Sequence, residues 1–179
     1  MWYKYLIIAF SFYIFALLQS SFFPHFNLWG AAPNLVFIFF ILLVFFENEN
    51  RRFQILAYAF MAGLLLDIFS TTDIGVSVVL LAGLGLGVNW AQTLLFGGND
   101  QRPFSYFMLL FFVSFLAYDL LLNFYFYPMN IRAMNAAFGL GMAGRLVYSL
   151  VFAAGFFLVY KKLFANIFNN RQLTLFKGG

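Results

Sequence analysis

Three ionisable side chains lie inside long apolar stretches of the sequence, where a charge is costly unless it is paired or functional. They are Asp67 in "GLLLDIFSTTDIG", Asp119 in "FLAYDLLLNFYF" and Arg145 in "GMAGRLVYS". Two aspartates close enough to share a proton would form the catalytic pair of an intramembrane aspartyl protease. An aspartate and an arginine at the same depth would instead form a structural ion pair.

Other catalytic chemistries lack the residues that they need. The sequence has no Cys and one His, His25, in a predicted loop, so neither a metal-ligand set nor a Ser-His-Asp triad can be assembled. The glycines of "LAGLGLGVNW" have no basic residue beside them to meet a nucleotide phosphate. Neither Asp67 nor Asp119 lies in the Asn- and Arg-containing motifs of lipoprotein signal peptidases. We therefore expect no enzyme, cofactor, metal or nucleic-acid partner, with an aspartyl protease as the remaining catalytic alternative.

The composition is that of an integral membrane protein. Of 179 residues, 64% are hydrophobic and 9% are charged, whereas about a quarter of the residues of soluble domains are charged. Too little polar sequence remains for a separate soluble domain.

Six apolar stretches approach the length of about 20 residues that an α-helix needs to cross the hydrocarbon core. Pro, Gly, Asn and charged residues, which favour turns, separate the stretches. The predicted fold is an all-α bundle of six transmembrane helices within residues 1–162, covering residues 5–23, 28–46, 53–69, 76–96, 104–127 and 140–160.

Positive charges indicate the orientation, because Lys and Arg are enriched on the cytoplasmic side of membrane proteins. With the N-terminus in the cytoplasm, Arg132 lies in an outer loop and eight cations lie inside: Lys4, Arg51, Arg52, Arg102, Lys161, Lys162, Arg171 and Lys177. Both termini are therefore predicted to be cytoplasmic. Apolar and basic residues in the tail, residues 163–179, fit a short interfacial helix on an anionic leaflet or a solvated tail.

The depths of the buried charges predict an ion pair. Asp119 lies about 10 Å below the outer end of the fifth predicted helix and Arg145 about 8 Å below that of the sixth. Because a short loop joins these helices, they are expected to be antiparallel neighbours, and a pair between Asp119 and Arg145 follows. Asp67 lies about 5 Å nearer the surface, within reach of Arg145, a helix N-terminus or interfacial water.

Small and polar residues predict helix contacts. Gly83 and Gly87 form a small-x-x-x-small face that allows a close approach of two helices, and Gly141 and Gly144 provide a similar feature before Arg145. The amides of Asn89 and Gln92 are expected to form hydrogen bonds across helices rather than to bind a ligand.

Three segments together resemble the family of the rod shape-determining protein MreD: "APNLVFIFFILLVFF", "GLLLDIFSTTDIGVSVVLLAGLGLGV" and "FLAYDLLLNF". In that family "P-[DN]-L" opens a helix and "G-x-x-x-D-x-x-[ST]" ends the next one before a turn to Gly. The matching positions are Pro33, Asn34, Gly63, Asp67, Ser70, Gly75 and Asp119. Asn34 replaces the more frequent Asp, and Arg145 has no counterpart in the pattern.

The resemblance implies a non-catalytic scaffold of the cell-wall elongation machinery in the bacterial inner membrane. Its partner would be the single-span protein MreC, with the MreB filament, the glycosyltransferase RodA and a class B penicillin-binding transpeptidase in a larger complex. The family is also similar in six-helix architecture to the substrate-binding subunits of energy-coupling-factor transporters. A small-solute-binding transporter subunit is therefore the alternative function.

Two roles for Asp67 follow from its position before a turn. Its carboxylate is expected to fix the turn between the third and fourth helices, through Ser70, Thr71, Thr72 or backbone N–H groups. The alternative role is a docking contact for a partner protein.

Overall fold

A computed structural model describes residues 2–26, 32–47, 52–70, 73–96, 103–126 and 140–175. Helix α1 (Trp2–Leu17) continues into a π-helical segment, Leu18–Phe22, and a 3₁₀ turn, Phe23–Phe26. The other helices are α2 (Leu35–Phe46), α3 (Arg52–Phe69), α4 (Val76–Phe96), α5 (Phe104–Phe126) and α6 (Leu140–Leu175). Within the described ranges the chain contains no β-strand.

Of the six α-helices in the described residues, five are long and apolar enough to cross a membrane, which agrees with five of the predicted spans. The predicted second span, residues 28–46, was wrong at its start, because residues 32–34 are not helical and α2 begins only at Leu35. Proline disfavours a helical conformation in the residue before it, and the Asn34 side chain caps the helix that follows. Residues 28–31 lie outside the described part of the chain.

Helix α2 is the centre of the bundle. Ten of its 12 residues are buried, and it contacts each of the other five helices. Contacts also join α1 to α3, α3 to α4, α4 to α5 and α5 to α6, while the rings of Phe15 and Phe156, 5.2 Å apart, connect α1 with α6. Five long helices therefore form a ring around one short helix. At about 18 Å in length, α2 is shorter than the hydrocarbon core of about 30 Å.

The ends of α2 lie within the ring, and side chains of other helices bind their backbone groups. At the N-terminal end, Gln19 Oε1 accepts a hydrogen bond from Val36 N–H at 3.4 Å, and Asn34 N–H donates to Ser149 Oγ at 3.4 Å. At the C-terminal end, Gln92 Nε2 donates to the Phe45 carbonyl at 3.3 Å. The predicted hydrogen bond of Gln92, a residue of α4, across helices is confirmed. Asn89, also on α4, is buried.

Helix α6 is longer than the sequence predicted. We expected its end near Tyr160 and a separate tail from residue 163, but the helix continues without a break to Leu175. Its last 15 residues contain no Gly or Pro, the residues that most readily end a helix. The predicted contact of this segment with the membrane surface, and its cytoplasmic location, stay predictions.

The glycines of α3 and α4 differ in how closely other helices approach them. Gly63 of α3 lies so close to the backbone of α4 that a Cβ atom there would be 2.5 Å from Val78 N. Gly85 faces inward, where a Cβ would be 2.8 Å from Ile55 Cγ2. Gly83 and Gly87 instead face outward, with no atom within 4 Å of an added Cβ. The Gly83 and Gly87 face therefore makes no close helix contact within the described bundle.

We expect Gly63→Ala to destabilise the fold, because the added methyl group meets backbone atoms of α4 that cannot move independently of the helix. Overpacking of this kind typically costs about 1–3 kcal/mol. Gly83→Ala is the matched control, since open space surrounds that position, and its melting temperature should be no lower than that of the parent. Thermal unfolding of both variants in the same detergent tests this, and equal melting temperatures would contradict the close α3–α4 contact.

Candidate functional site

The candidate residues concentrate at one end of the bundle, which we call the distal end. Here α1, α3 and α5 end and α2, α4 and α6 begin. The opposite end, where α1 begins, is called the terminal end. Pro33, Asn34, Asp67, Ser70 and Gly75 all lie at or beside helix ends of the distal side. Gly83 and Gly87 lie farther along α4.

Asp67 binds the first turn of α4. The side chain is only 2% exposed, and its Oδ2 accepts a hydrogen bond from Gly75 N–H at 2.6 Å while Oδ1 accepts one from Ser77 N–H at 3.1 Å. The free N–H groups and the positive dipole at a helix N-terminus both favour a carboxylate. Asp67 of α3 therefore caps the N-terminus of α4. The predicted bond of its carboxylate to backbone N–H groups is confirmed.

The turn itself has the conformation that this cap requires. Gly75 has φ +103°, a value that is readily adopted only by glycine. Ser70 follows the last residue of α3 and donates its N–H to the Leu66 carbonyl at 2.9 Å. The predicted partners Thr71 and Thr72 lie outside the described residues.

Two tyrosines of α5 connect the turn to the rest of the distal end. The Ser77 and Tyr118 hydroxyl oxygens are 3.3 Å apart, so the chain of contacts that begins at Asp67 reaches α5. The Tyr125 hydroxyl donates to Asp73 Oδ2 at 3.0 Å. One side-chain contact thus binds the first turn of α4 to α5, and a second binds the α3–α4 turn to α5.

Asp119 and Arg145 form the predicted ion pair. Arg145 Nη1 lies 3.6 Å from Asp119 Oδ1, and the side chains are 38% and 9% exposed, respectively. Asn123 Nδ2 donates to the Asp119 carbonyl at 2.8 Å and lies 3.5 Å from its Oδ2. The pair joins α5 to α6, with the Asp119 carboxylate nearly buried and the Arg145 side chain partly exposed.

The two aspartates have separate partners. Asp67 is bound to the N-terminus of α4, whereas Asp119 is bound to Arg145 and Asn123. An aspartyl protease requires two carboxylates that share a proton, and this division of partners opposes that alternative. Among the described residues, no group of three or more His, Cys, Asp or Glu side chains is placed to hold a metal ion.

A cavity of about 110 Å³ opens beside the N-terminal end of α2, and its lining includes Gln19, Ser20, Val36 and Ser70. Pockets that enclose small organic ligands typically have volumes of about 300–1,000 Å³. The cavity therefore has room for water or a very small group, and not for an organic ligand of ordinary size.

A buried polar cluster at the terminal end was missed from the sequence. Glu47, 8% exposed, accepts a hydrogen bond from the Tyr58 hydroxyl at 2.9 Å. The Gln54 amide, oriented to satisfy its neighbours, donates to Glu47 Oε1 at 2.9 Å and accepts from the Tyr5 hydroxyl at 3.0 Å. The available signal was the i, i+4 spacing of Gln54 and Tyr58, which places both side chains on one face of α3.

We expect Asp67→Ala to lower the thermal stability, because two N–H groups at the buried start of α4 lose their acceptor. The loss of a helix cap typically costs about 1 kcal/mol or more. Asp67→Asn keeps one acceptor oxygen and should lie between the alanine variant and the parent. The control is Ile74→Ala in the same turn, where the side chain is 78% exposed, and an equal loss in the control and in Asp67→Ala would contradict this role of Asp67.

The ion pair predicts coupling between Asp119 and Arg145. Because Arg145 is 38% exposed, breaking the pair should cost less than the about 3–5 kcal/mol of a fully buried pair, whereas removing both charges is often close to neutral. Asp119→Ala and Arg145→Ala should therefore each lower the melting temperature, and the double variant should lose less than the sum of the two. A double-mutant cycle in detergent measures the coupling, and additive effects would show that the two side chains do not interact.

Comparison with known proteins agrees with this arrangement of motifs. The family model described as rod shape-determining protein MreD matches residues 2–167. No curated protein and no solved structure matches the chain, so the expected similarity to energy-coupling-factor transporter subunits stays a prediction. The family match covers nearly the whole chain, including both aspartates and the capped turn between them. The chain therefore belongs to the MreD family of rod shape-determining proteins.

Proposed function

We propose that this protein is a non-catalytic scaffold of the cell-wall elongation machinery, which binds the single-span protein MreC and thereby helps to maintain a rod cell shape. The observation that carries the proposal is the family match over residues 2–167. Membership of the family supports a role in shape determination. The scaffold mechanism and the binding of MreC are proposed in addition.

The use of polar side chains inside the bundle supports a scaffold. Asp67, Gln92 and Asn34 bind helix ends, and Asp119 binds Arg145. These groups stabilise the structure and are not free to bind a solute. The cavity at α2 is also smaller than an ordinary ligand pocket. Both features oppose the transporter alternative, as the separate partners of the two aspartates oppose catalysis.

The surface that we propose for MreC is on helix α4. We define the α4 face as the exposed residues at helical spacing on this helix: Val79, Gly83, Leu86, Gly87, Trp90 and Leu94. Gly83 and Gly87 form a shallow groove between larger side chains, and a small-x-x-x-small groove lets the backbone of a second helix approach closely. The transmembrane helix of MreC is the occupant that we propose.

The proposed orientation follows from the eight inner Lys and Arg residues and the positive-inside rule. The protein lies in the bacterial inner membrane with both termini in the cytoplasm and the distal end at the periplasmic surface. In this orientation the termini are on the side of the MreB filament. RodA and a class B penicillin-binding transpeptidase complete the proposed complex, as the family resemblance implies.

Copurification tests the partnership. The protein in detergent should bring down the MreC of its own organism, and Gly83→Leu with Gly87→Leu should weaken the complex by about tenfold or more, because the leucines fill the groove. Gly155→Leu is the matched control, since Gly155 of α6 is also exposed with no atom within 4 Å of an added Cβ.

The outcomes separate the function from the surface. A parent protein that does not bind MreC would contradict the proposed function. Normal binding by a folded Gly83→Leu, Gly87→Leu variant would place the MreC site elsewhere on the bundle. Equal weakening by Gly155→Leu would show that the effect is not specific to the α4 face.

A further inference from the structure

Arg145 has more hydrogen-bond donors than the described chain uses. A guanidinium carries several N–H donors in a rigid fork, yet the one interaction of Arg145 within the described residues is the 3.6 Å contact of Nη1 with Asp119. The side chain is also 38% exposed. In hydrocarbon, donors without an acceptor are strongly unfavourable, so the remaining N–H groups require an acceptor from outside the described chain.

The depth of Arg145 limits what this acceptor can be. The helix begins at Leu140, so the Arg145 backbone lies five residues, or about 8 Å at about 1.5 Å per residue, from the distal start of α6. Long cationic side chains near a helix end extend to the headgroup region and keep their apolar stem in the hydrocarbon. The guanidinium of Arg145 can therefore reach the level of the lipid phosphates.

The exposed surface around the pair is apolar. Among the described residues within four positions of Asp119 or Arg145, the exposed ones are all apolar: Leu120, Leu121, Ala143 and Val147. Such a surface contacts acyl chains, and the acceptors nearest to acyl chains are the ester and phosphate groups of the same lipids. Of these, phosphate suits a guanidinium best, since the planar fork binds its oxygens in a bidentate manner.

We propose that Arg145 binds the phosphate of a phospholipid headgroup in the leaflet at the distal end, while Asp119 holds the other side of the guanidinium. Asp119 fixes the position of the guanidinium, and Asn123 supports the carboxylate. The lipid completes the coordination of Arg145 and fills the surface of α5 and α6 beside it. This site is independent of the proposed MreC groove on α4.

The test compares lipids that share their acyl chains and differ in the phosphate-containing headgroup. Delipidated full-length protein in detergent is titrated with dioleoylphosphatidylglycerol or with dioleoylglycerol, which has the same acyl chains and no phosphate, and bound lipid is counted by native mass spectrometry. We expect about tenfold tighter binding of the phospholipid, as charge-assisted hydrogen bonds to phosphate are strong. Equal binding of the two lipids would overturn the proposal.

Variants locate the site. Arg145→Gln should lose one tightly bound phospholipid, whereas the matched control Arg52→Gln, at an exposed arginine of the terminal end, should retain it. If Arg145→Gln does not fold, the double variant Asp119→Asn, Arg145→Gln removes both charges together, and it should show the same loss. Retention of this lipid by folded Arg145 variants would overturn the proposal.

Two further arms distinguish other sources of the acceptor. Inorganic phosphate should not displace the phospholipid at equal concentration, because it lacks acyl chains; displacement would show that the site binds free phosphate. Bound MreC should leave the Arg145-dependent lipid in place. Its release on MreC binding would show that a protein group, and not a lipid, is the natural acceptor.

Discussion

The structure depends on how the ends of a short buried helix satisfy their hydrogen bonds. An isolated helix leaves several N–H and C=O groups free at its ends, and in the apolar layer no water is available to bind them. Helix α2 ends inside the ring, so Gln19, Ser149 and Gln92 from three other helices bind its termini. Each of these bonds also joins a surrounding helix to the centre. The same bonds that make α2 possible therefore fix the positions of its neighbours.

The distal turn solves the same problem at the start of α4. Asp67 lies on α3 but binds N–H groups that belong to the next helix, which is possible because Gly63 lets the two helices lie close together. A side chain larger than hydrogen at Gly63 would separate the helices and lengthen the bonds of Asp67. The glycine and the aspartate of the family motif are thus parts of one arrangement. This explains why the motif places them four residues apart, on one face of α3.

The sequence was sufficient for features that depend on local pattern. Five spans follow from hydropathy alone, and the Asp119–Arg145 pair follows from depth along two neighbouring helices. The short length of α2 did not follow from the sequence. The run before Pro33 is apolar, and an apolar composition does not by itself show where a helix begins. Glu47 was also missed, since a carboxylate in the charged segment "ENENRR" is expected in water. Only the packing of α3 shows that Tyr58 and Gln54 enclose it.

The two proposed interaction surfaces lie on different helices of the bundle. On α4, the inward Gly85 packs against α3 and α2, while the outward Gly83 and Gly87 leave a groove, so one helix provides both a rigid internal contact and a free face. Asp67 at one end and Gln92 at the other hold α4 in place, and a helix docked in the groove would therefore have a fixed position relative to α2. Arg145 lies across the α5–α6 contact, and α5 stands between it and α4 in the ring. The proposed protein site on α4 and the proposed lipid site at Arg145 therefore share no residue, and occupation of one does not require the other to be empty.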